Sequence, residues 1–489
     1  MFLGNIFFSV NKFLIIFLPF ILIFRNPAAN IVSVYMGVSF LLYCLLKNNF
    51  SYYKNFIFFY FTIILLYLII NSFFSFNPAI SIIPSIGYAR IVLFIISLSF
   101  FFSEYSYIKK YLFFSFIACI LLFFIDSFVQ LLSGSNLLGM SNGSESRLSS
   151  FFGRKLIMGS FVVRLLPLIL AISFLLKIPH RNLVNLFIII ISGILVLLSG
   201  ERTAFLYYIF IISVYFYFNF NKKYFIYLIV LLFSFSVFTT VFNKKIINRL
   251  FSHTLSQLTE SNKFNYLSYR HSLHIETAYK MFLENKLLGH GLKSFRFLCS
   301  DKKYSVEDKI RNKSTFKSNF DGKFLIEKEK TAIETRYNLY IIDKDNFKQR
   351  IFDVHELVFM GQAQYFYLFV KDGDVVTKDQ KIFSYFEIGN GCNTHPHNIY
   401  LEFLSELGLI GFAFFFSIFL YASFHLLKFT FRHYTKKIYD YEKSLVLCLA
   451  SIFISMFPLL PSGSYFNSWL MFISYLPIGL YLSILKKHD

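Results

Sequence analysis

The sequence predicts an all-α polytopic membrane protein with about 12 transmembrane helices and one large loop domain outside the membrane, helical in part and carrying a small β-rich insert. Three observations predict it. Of 489 residues, 56% are hydrophobic, 21% aromatic and only 15% charged, with mean hydropathy +0.57; soluble domains run nearer a quarter charged. Apolar runs long enough to cross a bilayer recur along the chain. Between them, basic residues concentrate in every second loop.

The apolar runs fall near 5–24, 29–46, 55–74, 84–102, 111–132, 157–176, 183–199, 203–219, 224–242, 406–427, 445–460 and 467–485. The first has no small-residue cleavage site and reads as a retained span. With the N-terminus inside, the inside loops carry Lys47 and Lys54, Lys109 and Lys110, Lys177 and Arg181, Lys222 and Lys223, and the group from Lys428 to Lys443. The short outside loops hold mainly Arg25, Arg147, Arg154, Lys155 and Arg202. Both termini are therefore expected inside and the long 243–405 segment outside. The expected organisation is nine spans over 1–242, the loop domain over 243–405, and three spans over 406–489. The net charge of +21 is thereby explained as topology, not as a nucleic-acid-binding surface.

Within the loop domain, Leu267, His271, His274, Ala278 and Met281 have helical spacing, and Asn285 with Gly289 ends the pattern. The stretch of about 300–390 is polar and alternating, with Tyr337–Ile342 as a strand and Phe366–Val370, Lys371–Asp374 and Val375–Val376 as strand, turn and strand. Cys299 and Cys392 bracket this insert and are the candidate disulfide pair, whereas Cys44, Cys119 and Cys448 lie in spans. No metal-type Cys/His spacing occurs.

Where the loop domain meets the tenth span, the chain reads Thr394-His395-Pro396-His397-Asn398-Ile399-Tyr400-Leu401-Glu402-Phe403-Leu404-Ser405-Glu406-Leu407-Gly408-Leu409-Ile410-Gly411. Asn398 is a good N-cap, so His397 lies just outside a helix start at a membrane edge. An imidazole there can transfer protons near neutral pH. Arg202 sits in the very short turn Ser199-Gly200-Glu201-Arg202-Thr203, and Arg270 in the helical part of the loop; Arg147 and Arg154 flank Phe152-Gly153. Guanidinium forks at a bilayer surface suit a phosphate or diphosphate. Asp126 and Arg164 lie inside apolar runs, where an ion pair between them would be structural.

The 394–411 stretch resembles the histidine signature of the bacterial O-antigen ligase and O-antigen polymerase superfamily, through His395, His397, Asn398, Leu401, Glu406, Gly408 and Gly411. Asp126-Ser127-Phe128-Val129-Gln130, Arg147 to Gly153, Ser199 to Ala204, and Arg270 followed by Leu288-Gly289-His290-Gly291 are similar to the family's other motifs. The resemblance implies a membrane-embedded, inverting glycosyltransferase of the inner membrane that needs neither metal nor cofactor and acts on the periplasmic side. Its donor would be a glycan on undecaprenyl diphosphate. The acceptor would be lipid A-core for a ligase, or another lipid-linked repeat for a polymerase. By that likeness His397 would be the general base, Arg202 and Arg270 would hold the diphosphate, and Arg147, Arg154 and His395 would contact substrate. The insert is larger than the family leads one to expect. A secondary transporter is a more distant alternative, since about twelve spans also suits one, but no repeated halves are visible.

Overall fold

The computed structural model describes residues 2–140, 147–153, 155–219, five positions between 223 and 230, and then 269–306, 313–330, 335–343, 347–355, 366–386 and 391–488. The expected span at 224–242, the start of the loop domain and Arg154 lie outside the described residues, as does the side chain of Arg270.

The chain divides into two compact units, Met1–Tyr304 with Cys392–Asp489, and Ser305–Gly391. The first is helical: α1 (Phe2–Ile16), α2 (Leu18–Ile21), α3 (Arg25–Lys47), α4 (Phe56–Phe73), α5 (Pro78–Gly87), α6 (Ala89–Glu104), α7 (Ser106–Ser133), α8 (Met158–Leu175), α9 (Arg181–Ser199), α10 (Arg202–Phe218), α11 (Tyr269–Glu284), α12 (Phe295–Leu298), α13 (Ile399–Thr435), α14 (Asp440–Ser455) and α15 (Ser468–His488). Among the described residues, eight helical stretches are long and apolar enough to cross a membrane, and Phe7–Ile16 and Arg202–Phe218 are shorter apolar helices. The run read as a first span over 5–24 is interrupted at Phe17, after which the helix of α2 carries Pro19 in its first turn.

In the bundle, α8 and α15 are the enclosed helices: 89% of each apolar window is buried, against 28% for α4 and α13, which keep a broad apolar face exposed. The core of this unit is aromatic, with Phe94, Phe101, Phe113, Phe116, Phe123 and Phe161 fully enclosed. Small residues let helices approach: a Cβ on Gly37 of α3 would stand 2.8 Å from Leu93 Cβ of α6, and one on Gly479 of α15 would stand 2.7 Å from Leu98 Cβ.

The second unit holds seven strands: β1 (Lys313–Lys317), β2 (Gly322–Lys330), β3 (Thr335–Ile342), β4 (Lys348–His355), β5 (Phe366–Leu368), β6 (Val375–Val376) and β7 (Lys381–Phe386). They form antiparallel sheets in the orders β1-β7-β5 and β4-β3-β2-β6. Phe324, Leu339, Ile341, Val370, Val376, Ile382 and Phe383 make its core. The strand, turn and strand expected around Lys371–Asp374 are present, but β5 pairs with β7 and β6 with β2, so the two flanks join different sheets and do not form a hairpin. The turn is spent on a crossover because Asp374 accepts the Lys371 N–H at 2.7 Å while Gly373 N–H reaches back to Phe324 O at 2.9 Å.

Candidate active site

A break in α13 builds the floor of the site. Gly408 takes φ +65°, ψ −167° inside an otherwise helical run, a conformation open to glycine and strained for other residues. The break strands backbone groups that would otherwise be paired along the helix. The turn after α11 takes them up. His290 and Gly291 N–H donate to Ser405 O and Glu406 O at 3.1 and 2.7 Å, and Leu409 N–H donates to Lys286 O at 2.8 Å. The fit leaves no room for side chains: a Cβ on Gly289 would fall 2.5 Å from the Glu406 carbonyl carbon, and one on Gly408 2.3 Å from Leu287. The buried Glu406 carboxylate then accepts the N–H groups of Lys293 and Phe295 at 2.8 and 3.2 Å. Glu406, Gly408 and Gly289 thus dock α11 and α12 onto α13.

Above the break, Asn398 caps α13, accepting from Tyr400 N–H at 2.9 Å and Leu401 N–H at 3.1 Å, and it donates its amide to Pro458 O at 2.7 Å. His397, just before the cap, is held at φ +56° with its carbonyl bound by Ser462 N–H at 2.9 Å. Left-handed backbone on a non-glycine residue is a strained arrangement of the kind that clusters at functional sites. Cys299 and Cys392 form a disulfide, Cα–Cα 4.9 Å, that ties α12 to this loop. Asn393 follows at once, and its amide nitrogen lies 3.0 Å from His397 Nε2.

Four imidazoles gather here. The His397 ring lies 4.3 Å from that of His395, 5.1 Å from His274 and 5.6 Å from His271, the last two on α11. Burial lowers the His397 pKa from 6.5 to about 3, with the neighbouring imidazoles adding to the effect. His271 is lowered to about 4, first by burial, then by His274 and by the Arg202 cation. His395 is lowered by burial against a smaller upward pull from Glu402. His271, His395 and His397 are therefore uncharged near neutral pH. Among the described residues, no group of three or more His, Cys, Asp or Glu side chains is arranged to hold a metal ion.

Arg202 opens α10, with Glu201 as the extended residue before the helix. Its cation is the last of the influences that lower the His271 pKa. Arg270 is in the first turn of α11, one residue before His271. Arg147 is engaged with backbone: Nε donates to Ser199 O at 3.2 Å, a terminal nitrogen donates to Leu156 O at 2.7 Å, and Glu201 lies 3.8 Å away. It braces the turn that carries Arg202. Glu201 in turn accepts from Gly159 N–H at 2.8 Å and from the Ser160 hydroxyl at 2.8 Å, and burial pushes its carboxyl pKa up, against the pull of Arg147 and Arg164.

The sequence allowed an Asp126–Arg164 pair, and this is not formed. Asp126 accepts Leu137 N–H at 2.8 Å and the Ser150 hydroxyl, while Gln130 accepts Ser149 and Ser150 N–H at 3.2 and 2.8 Å, so both side chains pin the loop bearing Arg147. Arg164, buried in α8, lies over Tyr207 at 5.7 Å and donates to Ser160 O at 3.4 Å. His271, His274 and Asn393 lie outside the sequence motifs that point to the site. The only signal was that two histidines at i and i+3 share a helix face, a pattern equally common in packing. A cavity of about 910 Å³ lined by Phe174 to Asn182 and Asp440 lies at the other end of α9 and takes no part in this arrangement.

Residues 187–321 match the family described as O-Antigen ligase. The matched span runs through α9, the Arg202 turn, α11 and the Gly289 turn to β2, and ends before the His395–Gly411 stretch. No curated protein and no solved structure matches the chain. The family match supports the O-antigen ligase/polymerase superfamily.

Proposed function

From that superfamily as premise, we propose that the chain is a membrane glycosyltransferase moving a saccharide from undecaprenyl diphosphate to a lipid A-core acceptor, with both termini cytoplasmic and about twelve spans. The observation that carries the reading is the meeting of two distant pieces of chain, with the His397 ring 5.6 Å from that of His271 and 5.1 Å from that of His274; the Arg202 cation, which adds to the lowering of the His271 pKa, supports it. Arg270 precedes His271 on the same helix, which supports its assignment beside Arg202.

The chemistry fits the groups. His397 takes the proton of the acceptor hydroxyl as its oxygen attacks the anomeric carbon. The bond from that carbon to the diphosphate oxygen breaks on the opposite face, inverting the centre. Undecaprenyl diphosphate leaves with its charge, which the Arg202 and Arg270 cations stabilise as it develops. A general base must be unprotonated to take the hydroxyl proton, and His397 meets that condition near neutral pH. Arg147, through Glu201 and the Ser199 carbonyl, positions the Arg202 turn. His395 and Arg154 are the further candidates for sugar or phosphate contact.

A polymerase joining lipid-linked repeats would use the same groups. A deletion strain separates the two on a lipopolysaccharide gel. We expect loss of all capped chains with accumulation of lipid-linked polymer. Surviving single-repeat caps without long chains would instead establish a polymerase.

A further inference from the structure

We infer that Asn393 is the positioning residue for His397: its side-chain amide fixes the imidazole as the Nδ1–H tautomer, with Nε2 as the basic atom, and holds the place that the acceptor hydroxyl takes up. The inference rests on His397 as general base and names the partner that prepares it.

The amide's orientation follows from its two bonds. Asn393 Oδ1 accepts the Thr394 N–H at 2.7 Å, which an amide nitrogen could not do. The nitrogen must then face His397 Nε2, 3.0 Å away, as a donor. An amide N–H can bond only to an unprotonated ring nitrogen, so the ring proton is on Nδ1. Nothing in the surroundings favours a second proton. His397 is faced by His271 and His274 from α11 and by His395 from its own loop, each of which disfavours a further proton on it.

Asn393 is well placed to hold a direction. It is bonded to Cys392, whose sulfur is joined to Cys299, and its carbonyl lies 3.6 Å from Cys299 Sγ. Its backbone is thus fixed to α12, and α12 is fixed to α13 through Glu406. His397 is fixed from the other side by Ser462. The Asn393 amide and the His397 ring are thus held at both ends of the loop that joins them. An acceptor hydroxyl needs the Nε2 lone pair that the amide now occupies. Rotation of Asn393 hands that lone pair over and frees the amide to bond the incoming sugar.

The test is Asn393→Asp, with Asn393→Ala as companion, in the full-length protein in nanodiscs. The donor is the glycan on undecaprenyl diphosphate extracted from the deletion strain. A carboxylate cannot donate to Nε2; it draws a proton there and raises the His397 pKa. Asn393→Asp should therefore move the acid limb of kcat/KM upward by about one to three pH units, while Asn393→Ala keeps the wild-type pH profile with a lower kcat. Independently of transfer, ¹⁵N-histidine spectra should show the Nδ1–H form of His397 in the wild type and a protonated Nε2 in Asn393→Asp. A wild-type His397 carrying its proton on Nε2, or an Asn393→Asp profile superimposable on wild type, would overturn the inference. Full transfer by a His397→Ala protein would instead remove the general-base reading beneath it, whatever the spectra show.

Discussion

At the scale of single residues, the site's chemistry depends on an imidazole kept neutral and on cations that cannot be neutralised. His397 and His271, with pKa values lowered to about 3 and 4, stay uncharged down to about pH 5. The kcat/KM profile should accordingly show no acid limb near pH 6.5; such a limb, removed by His397→Gln, would contradict the burial argument. The same groups link pH to stability. Their folded pKa values are depressed, so their contribution is complete above about 6.5 and is lost as pH falls toward 4 and 3. The midpoint of thermal unfolding should therefore drop between pH 7 and 5, and drop less in His271→Gln. Arg202→Lys keeps a charge and loses the planar fork, so a loss of about 100-fold in kcat/KM with unchanged expression is expected. The four imidazoles were half legible in the sequence: His395 and His397 stand in one motif, but His271 and His274 are 120 or so positions away, and only the docking of α11 onto α13 reveals their proximity.

At the scale of elements, the device is the broken helix. Glu406, Gly408 and Gly411 could be recognised as a pattern from the sequence, but their physical role required the partner turn at Gly289–Gly291. A Cβ on Gly408 meets backbone atoms that cannot step aside, and φ +65° penalises it further. Gly408→Ala should cost about 3 kcal/mol, read as a fall in unfolding midpoint together with loss of transfer. A Gly408→Ala protein with wild-type stability would mean that the turn does not lock the break. The Lys371–Asp374 turn shows the converse limit. Local signals for strand and turn were read correctly as types, yet pairing is decided by which apolar faces share a core, here Val370 and Val376 with Phe324 and Leu339.

At the scale of the whole molecule, membrane class and basic-loop bias were legible because bilayer crossing demands long uncharged runs, whatever the tertiary arrangement. Which runs would be enclosed was not: α8 and α15 look no more apolar than α4, and only packing sorts them. The two units have separate cores, one made wholly within Ser305–Gly391. The Cys299–Cys392 bond joins the chain on either side of that segment. Replacing 305–391 by a short Gly/Ser linker should therefore leave the helical unit folded, judged by a single elution peak and an unfolding midpoint close to that of the intact protein. Reducing the disulfide should remove about 4 kcal/mol of stability in the chain-entropy picture. The central claim is that an imidazole from the α13 junction and guanidinium groups from α10 and α11 act together on one glycosyl transfer. Its most direct measurement is transfer by purified His397→Ala in vesicles loaded with lipid-linked donor and acceptor. The account predicts a fall of about 10²- to 10⁴-fold in kcat with the unfolding midpoint preserved, and transfer at the wild-type rate by a folded His397→Ala protein would contradict it.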